Sequence, residues 1–131
     1  MDEKSEEIGN QEADYFFDTY ALIEILKDNI NYLPFKEKSV TITLFNLAEL
    51  FYYVLTNHTK EAETIYSEYR SAVVDIDDET LKEAVALRKE LKKRNVSYTD
   101  CIGYTYAKLH GLRFLTGDEA FKGMKNVEFV R

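Results

Sequence analysis

Cysteine occurs once in these 131 residues, at Cys101, which excludes an intramolecular disulfide and any metal site built on clustered cysteines. Proline also occurs once, at Pro34, within a stretch from Asn29 to Glu37 that reads as a loop holding one helical turn. No apolar run approaches the ~18 residues that would indicate a membrane span. The acidic start lacks the basic opening and apolar centre of a secretion signal, so a cytoplasmic protein without membrane attachment is expected. Positive charge is scarce as well: the formal net charge is −7, which argues against a general coat for duplex DNA. That scarcity is uneven. Residues 88–131 hold ten Lys/Arg against five Asp/Glu, whereas residues 1–87 hold seven against nineteen. The basic run from Arg88 to Arg94 suits a helix C-terminus, and a patch facing nucleic acid is the competing reading.

What is present fits one soluble domain. The length allows a real core, and 45% apolar residues is ordinary for a globular chain. Residues 1–14 are polar and charged, with Ile8 as their one bulky apolar side chain, and read as a flexible acidic tail before a domain spanning 15–131. Tyr15-Phe16-Phe17 suits a short buried strand, followed by Asp18 and a helix-compatible run from Ala21 to Lys27. Ser39–Thr43 is rich in β-branched residues and predicts a second strand. From Leu44 an apolar stripe of Leu44, Leu47, Ala48, Phe51, Val54 and Leu55 predicts a helix, with Glu49 beside the stripe, and a second helix covers Lys60 to Arg70. Residues 72–76 read as a third strand.

Acids at Asp77–Glu79 favour a helix start, and that helix is expected to reach Arg94. Ser97-Tyr98-Thr99-Asp100 opens the next helix, and His110-Gly111 closes it. Leu112–Thr116 is the fourth strand, Gly117–Phe121 a turn into a short helix, and Val127–Val130 the fifth strand. Strands alternating with helices, without hairpin turns, predict an α/β fold: a parallel sheet with helices on both faces. No internal repeat or low-complexity segment interrupts it.

Four acids then stand out by position. Asp18 follows strand one, Glu49 lies on the helix after strand two, Asp100 begins the helix before strand four, and Asp118 follows strand four. Asp18 and Asp118 can simply cap the helices after them, and Asp100 can pair with Ser97 in a capping box. Capping and function overlap here, because an open parallel sheet binds its ligands beyond the strands' carboxyl ends. Clustered carboxylates repel and raise one another's pKa, a conflict that a hard, oxygen-preferring Mg²⁺ or Mn²⁺ ion resolves.

These motifs resemble those of the PIN-domain family, and most closely its single-domain VapC-type toxin ribonucleases. The resemblance rests on the aromatic strand with Asp18-Thr19, on Leu47-Ala48-Glu49-Leu50, on Ser97–Asp100 before a helix ending at Gly111, and on Phe114-Leu115-Thr116-Gly117-Asp118-Glu119-Ala120-Phe121. It spans about residues 15–130, in the family's order. It implies a single three-layer domain with five parallel strands in the order 3-2-1-4-5, and Mg²⁺- or Mn²⁺-dependent hydrolysis of RNA phosphodiester bonds. Asp18, Glu49, Asp100 and Asp118 would be the catalytic acids. Asp18, Asp100, Asp118 and Glu49 would form the metal site, the three aspartates as direct or water-mediated ligands and Glu49 holding a metal-bound water or acting as base. Thr116 and Thr19 would orient water or phosphate. The resemblance further implies an antitoxin partner and a homodimer. The longer acidic tail and Cys101, at a place often taken by alanine, depart from the family pattern.

Two readings compete with catalysis. A PIN-like module can keep its acids and serve only as a binding partner in an RNA-associated complex. A phosphatase or a flavodoxin-like regulator can also carry an acidic Mg²⁺ pocket, but the regulator wants paired acids after strand one and a lysine after a late strand. Asp14 and Asp18 do not form that pair, and no lysine directly follows strand four or five. Cys101 lies just inside a predicted helix and shows no pairing with His58 or His110, so it reads as a small buried residue.

Overall fold

The structure is a computed structural model that describes residues 13–131. The acidic tail expected over 1–14 falls, but for its last two residues, outside the described residues.

Five short strands are present: β1 (Tyr15–Phe17), β2 (Ile42–Thr43), β3 (Val73–Val74), β4 (Arg113–Thr116) and β5 (Val127–Phe129). β4 pairs with β1 on one side and β5 on the other, and β2 pairs with β3, all in parallel. The two groups meet through a 3.0 Å hydrogen bond donated by Phe17 N to Thr41 O. The strands thus form a three-stranded and a two-stranded parallel sheet in place of one five-stranded sheet, and the bond that joins them fits the order 3-2-1-4-5 that the resemblance implied. Around the strands lie α1 (Thr19–Leu26), α2 (Leu44–Asn57), α3 (Ala62–Arg70), α4 (Asp78–Glu90) and α5 (Tyr98–Leu109). The loop around Pro34 contains a 3₁₀ helix, Ile30–Phe35, and the basic stretch expected to finish α4 forms its own 3₁₀ turn, Lys92–Arg94.

Strand side chains alternate between faces, and β1 divides the core on that basis. Phe17 packs with Leu22, Ile42, Leu47, Leu50, Val54 and Leu115 on one side. Phe16 packs with Ala84, Ile102, Tyr104, Phe114 and Phe121 on the other. The three aromatics of β1 are thus the central plank of a three-layer sandwich. The buried face of α2 differs from the expected stripe: Asn46, Leu47, Leu50 and Val54 face inward, while Leu44 and Leu55 are exposed. Leu44, Ala48 and Phe51 instead line an apolar groove against Tyr66 of α3.

α4 and α5 lie side by side in opposite directions. Glu83 meets Lys108 at 3.3 Å, and farther along Arg88 covers the Tyr98 ring. The end of α4 therefore stands beside the start of α5. Asn95 turns the chain between them in the left-handed region, at φ 59°.

α5 approaches the sheet closely because residue 103 is glycine: a Cβ there would lie 2.6 Å from a Phe16 ring carbon and 3.2 Å from Phe114. Both rings are fully buried. Gly103→Ala gains about 1 kcal/mol in helix propensity but overpacks the core, at about 1–3 kcal/mol. The expected net effect is a loss of up to about 2 kcal/mol, read as a lower urea midpoint at unchanged slope. A midpoint equal to or above that of the wild type would show that the two rings can yield.

Candidate active site

At the carboxyl end of β1 the chain turns into α1, and Asp18 is the residue at that turn. Its Oδ1 caps the helix by accepting from Thr19 N at 2.9 Å. Its Oδ2 accepts from Thr116 Oγ1 at 2.6 Å, at the carboxyl end of the neighbouring β4. Asp18 is 2% exposed, so an acid stands in the core's upper edge with two donors and almost no water.

The other three acids reach the same rim from different elements. Asp118 follows β4, accepts from Ala120 N at 3.0 Å, and donates its own N–H to Thr116 Oγ1 at 3.1 Å. The Thr116 hydroxyl therefore links Asp18 to Asp118, with both of its hydrogen-bonding roles engaged. Asp100 starts α5 and shares a reciprocal capping box with Ser97, at 2.9 and 3.0 Å. Glu49 sits exposed on α2, where Oε1 accepts from Thr19 Oγ1 at 2.7 Å. Every capping role open to Asp18, Asp100 and Asp118 in the sequence is filled.

Their electrostatics couple them nonetheless. Burial, then the charges of Asp100 and Asp118, push the Asp18 carboxyl up from 3.8 to about 8, against the opposing hydrogen bonds from Thr116 and Thr19. Asp100 is also raised, by burial and by the charges of Asp118 and Glu49, although its Ser97 bonds pull the other way. Asp18 thus feels the charges of Asp100 and Asp118, and Asp100 those of Asp118 and Glu49.

Asn46 belongs to this constellation and was not among the expected residues. Fully buried, it accepts through Oδ1 from Thr43 N at 2.9 Å, and donates through Nδ2 to Thr19 Oγ1 at 3.0 Å. The same Thr19 oxygen donates to Glu49, one turn beyond Asn46 on the same helix face. Asn46 thus pins the start of α2 to the start of α1 and sets the distance from Glu49 to Asp18. The signal for it was Thr43-x-x-Asn46, a capping box with Asn in the place of the usual Glu or Gln. Gly117 serves the rim by its size, since a Cβ there would lie 2.4 Å from Val130 O and 2.3 Å from the Tyr20 ring.

The donor set fits a hard divalent cation in kind, being carboxylate and hydroxyl oxygens around a raised carboxyl that a positive charge would relieve. Among the described residues no three acidic, histidine or cysteine side chains are gathered into a ready cage.

Two outcomes test this electrostatic account. Asp18 binds its proton more tightly in the folded chain than in the unfolded one, so without divalent metal stability should fall as pH rises from about 4 to about 8. A melting temperature that rises steadily across that window in EDTA would contradict it. Asp118→Asn keeps an oxygen for Ala120 N while removing a repelling charge, so its metal-free melting temperature should equal or exceed that of the wild type, and Mn²⁺ should no longer raise it. A clear metal-free loss, of the ~1 kcal/mol typical of a deleted cap, would make the cap the dominant role.

A family model described as PIN domain matches residues 15–127. The fold is also that of a toxin–antitoxin complex chain from Klebsiella pneumoniae, with a TM-score of 0.73 at 22% identity, covering 88% of this chain and 96% of that one. A chain of VapBC2 from Rickettsia felis, crystallised with a DNA fragment from its promoter, superimposes with a TM-score of 0.66 at 20% identity, covering 89% and 98%. No curated protein sequence matches the chain.

Proposed function

The chain belongs to the PIN domain family, and from that premise we propose that it is a divalent-cation-dependent endoribonuclease, hydrolysing RNA phosphodiester bonds as the toxin of a toxin–antitoxin pair. PIN domains are generally nucleases. The observation that carries the proposal is the convergence of Asp18, Glu49, Asp100 and Asp118 on one rim, with Asp18 raised by burial and by the charges of Asp100 and Asp118. The toxin role and an antitoxin partner draw support from the folds shared with the two toxin–antitoxin complexes; a homodimer is part of the same proposal. Among the described residues no helix is long and apolar enough to cross a membrane.

Asp18, Asp100 and Asp118 are the residues that would hold Mg²⁺ or Mn²⁺. A bound cation of this kind supplies Lewis-acid polarisation of a phosphate oxygen and a more acidic water. The chain's own groups do the rest. Thr116 and Thr19 hold the Asp18 carboxylate in one orientation through its two oxygens. Glu49, exposed and fixed through a single oxygen by Thr19, has its second oxygen available to take a proton from attacking water. Asn46 keeps the Thr19 hydroxyl pointed at Glu49, which fixes that base relative to Asp18.

The second reading, a non-catalytic PIN module acting in an RNA-associated complex, is favoured by one observation: three of the acids already serve as helix caps. Single-turnover cleavage of a mixed RNA pool in Mn²⁺ separates the two. The wild type should cleave and lose that activity in EDTA. Asp18→Asn should abolish cleavage together with Mn²⁺ binding. Glu49→Gln should cut cleavage by ~10²–10⁴-fold while leaving RNA binding in Ca²⁺ intact. Wild-type rates from Glu49→Gln would remove it from the site, and an inactive, antitoxin-free wild type that binds RNA would establish the second reading.

A further inference from the structure

An acidic site in a chain of net charge −7 repels the polyanion proposed as its substrate. The compensating charge lies close by. α4 ends beside the start of α5, where Arg88 Nε donates to Val96 O at 3.2 Å and the Arg88 guanidinium lies 4.1 Å from the centroid of the Tyr98 ring. Tyr98 is two residues before Asp100, and 54% of its surface remains open. The turn that follows α4 carries Lys92, Lys93 and Arg94, all exposed. Arg94 Nη1 donates to Ala120 O at 3.1 Å, on the same short segment that Asp118 caps. The basic turn and its stacked tyrosine thus touch both segments that bring Asp100 and Asp118 to the rim. Among the described residues none of Arg88, Lys89, Lys92, Lys93 or Arg94 forms an ion pair with a carboxylate, whereas Lys27, Lys36, Lys108, Arg113 and Arg131 do.

We propose that the Lys92–Arg94 turn and the Arg88–Tyr98 stack form the docking edge for single-stranded RNA, on the α4–α5 flank of the four acids. The inference rests on the nuclease reading only for the identity of the strand. Lys92 and Lys93 neutralise successive phosphates, which holds the backbone without reading sequence. Tyr98, with one face backed by a guanidinium, offers the rest of its ring to a base, a form of contact that single strands allow and duplexes do not. A strand lying along this edge passes the first turn of α5 and reaches the Asp18 rim. An acidic protein segment would satisfy the lysines but has no use for the exposed, cation-backed ring, so RNA is the favoured occupant.

The test is fluorescence anisotropy of a labelled single-stranded 12-nucleotide RNA, about the length of an OB-fold's footprint, in Ca²⁺ across a salt series, alongside cleavage in Mn²⁺. Lys92→Ala/Lys93→Ala should weaken binding on the order of tenfold at 0.1 M salt and lower the slope of log Kd against log salt by about 1.4, from ~0.7 per phosphate. Tyr98→Leu should weaken binding on the order of tenfold at unchanged slope. Lys36→Ala, on a lysine already paired with Asp28, should change neither. Wild-type affinity and slope in the double variant overturn the proposal, while continued wild-type cleavage leaves the nuclease reading standing. Binding that is lost as expected from a protein that never cleaves upholds the docking edge and overturns the nuclease reading. No binding by the wild type at 0.05 M salt overturns the docking edge. So does poly-glutamate binding as tightly as RNA through the same two lysines, which would assign the patch to a protein.

Discussion

The hydrogen bond from Thr116 Oγ1 to Asp18 Oδ2, 2.6 Å long and closed to solvent, joins the ends of two neighbouring strands around one carboxyl group. Burying a lone carboxylate is costly, and the fold meets that cost by local means: a hydroxyl, a helix-start N–H, and a proton retained well above the ordinary range. The rest of the site hangs from this group. Thr116 passes the connection to Asp118, and Thr19 passes it to Glu49 and Asn46. Asp100 reaches it through space. Asp18, Asp100 and Asp118 each accept from a backbone N–H, which ties these three carboxyl groups to the backbone.

Much of this was legible in the sequence because a parallel sheet puts its strand ends and helix starts on one side. Asp18, Asp100 and Asp118 are good caps at such places, so the features that mark a helix start also mark the site. Other features depended on choices that the pattern leaves open. α2 carries apolar residues almost all the way round (Leu44, Phe45, Leu47, Leu50, Phe51, Tyr53, Val54, Leu55), so periodicity could not tell which stripe faces the sheet. The structure selects Leu47, Leu50 and Val54, which leaves Asn46 buried among them and Glu49 at the edge. Asn46 is polar and lies in that run, so only its spacing from Thr43 announced it. The meeting of Lys92–Arg94 with the acids was equally hidden, since it follows from α4 lying antiparallel to α5, a matter of tertiary packing.

The charge asymmetry along the chain acquires a spatial meaning from that packing. Acids occupy the rim, and the exposed cations of the Lys92–Arg94 turn border it on the α4–α5 side. An arrangement of this kind would suit a divalent cation at its centre and a polyanion along its edge, the two components that the proposed hydrolysis requires. The apolar groove between α2 and α3 belongs to the other half of the core from α4 and α5.

Buried Asp18 is raised further by the charges of Asp100 and Asp118, and a divalent cation among them would relieve that repulsion. NMR of the Asp18 side-chain carboxyl carbon through a pH titration, without and with Mg²⁺, reads this out. The midpoint should lie at about 8 in the metal-free protein and fall markedly when Mg²⁺ is added. An Asp18 that titrates in the ordinary carboxylate range without metal, and does not respond to Mg²⁺, would contradict it.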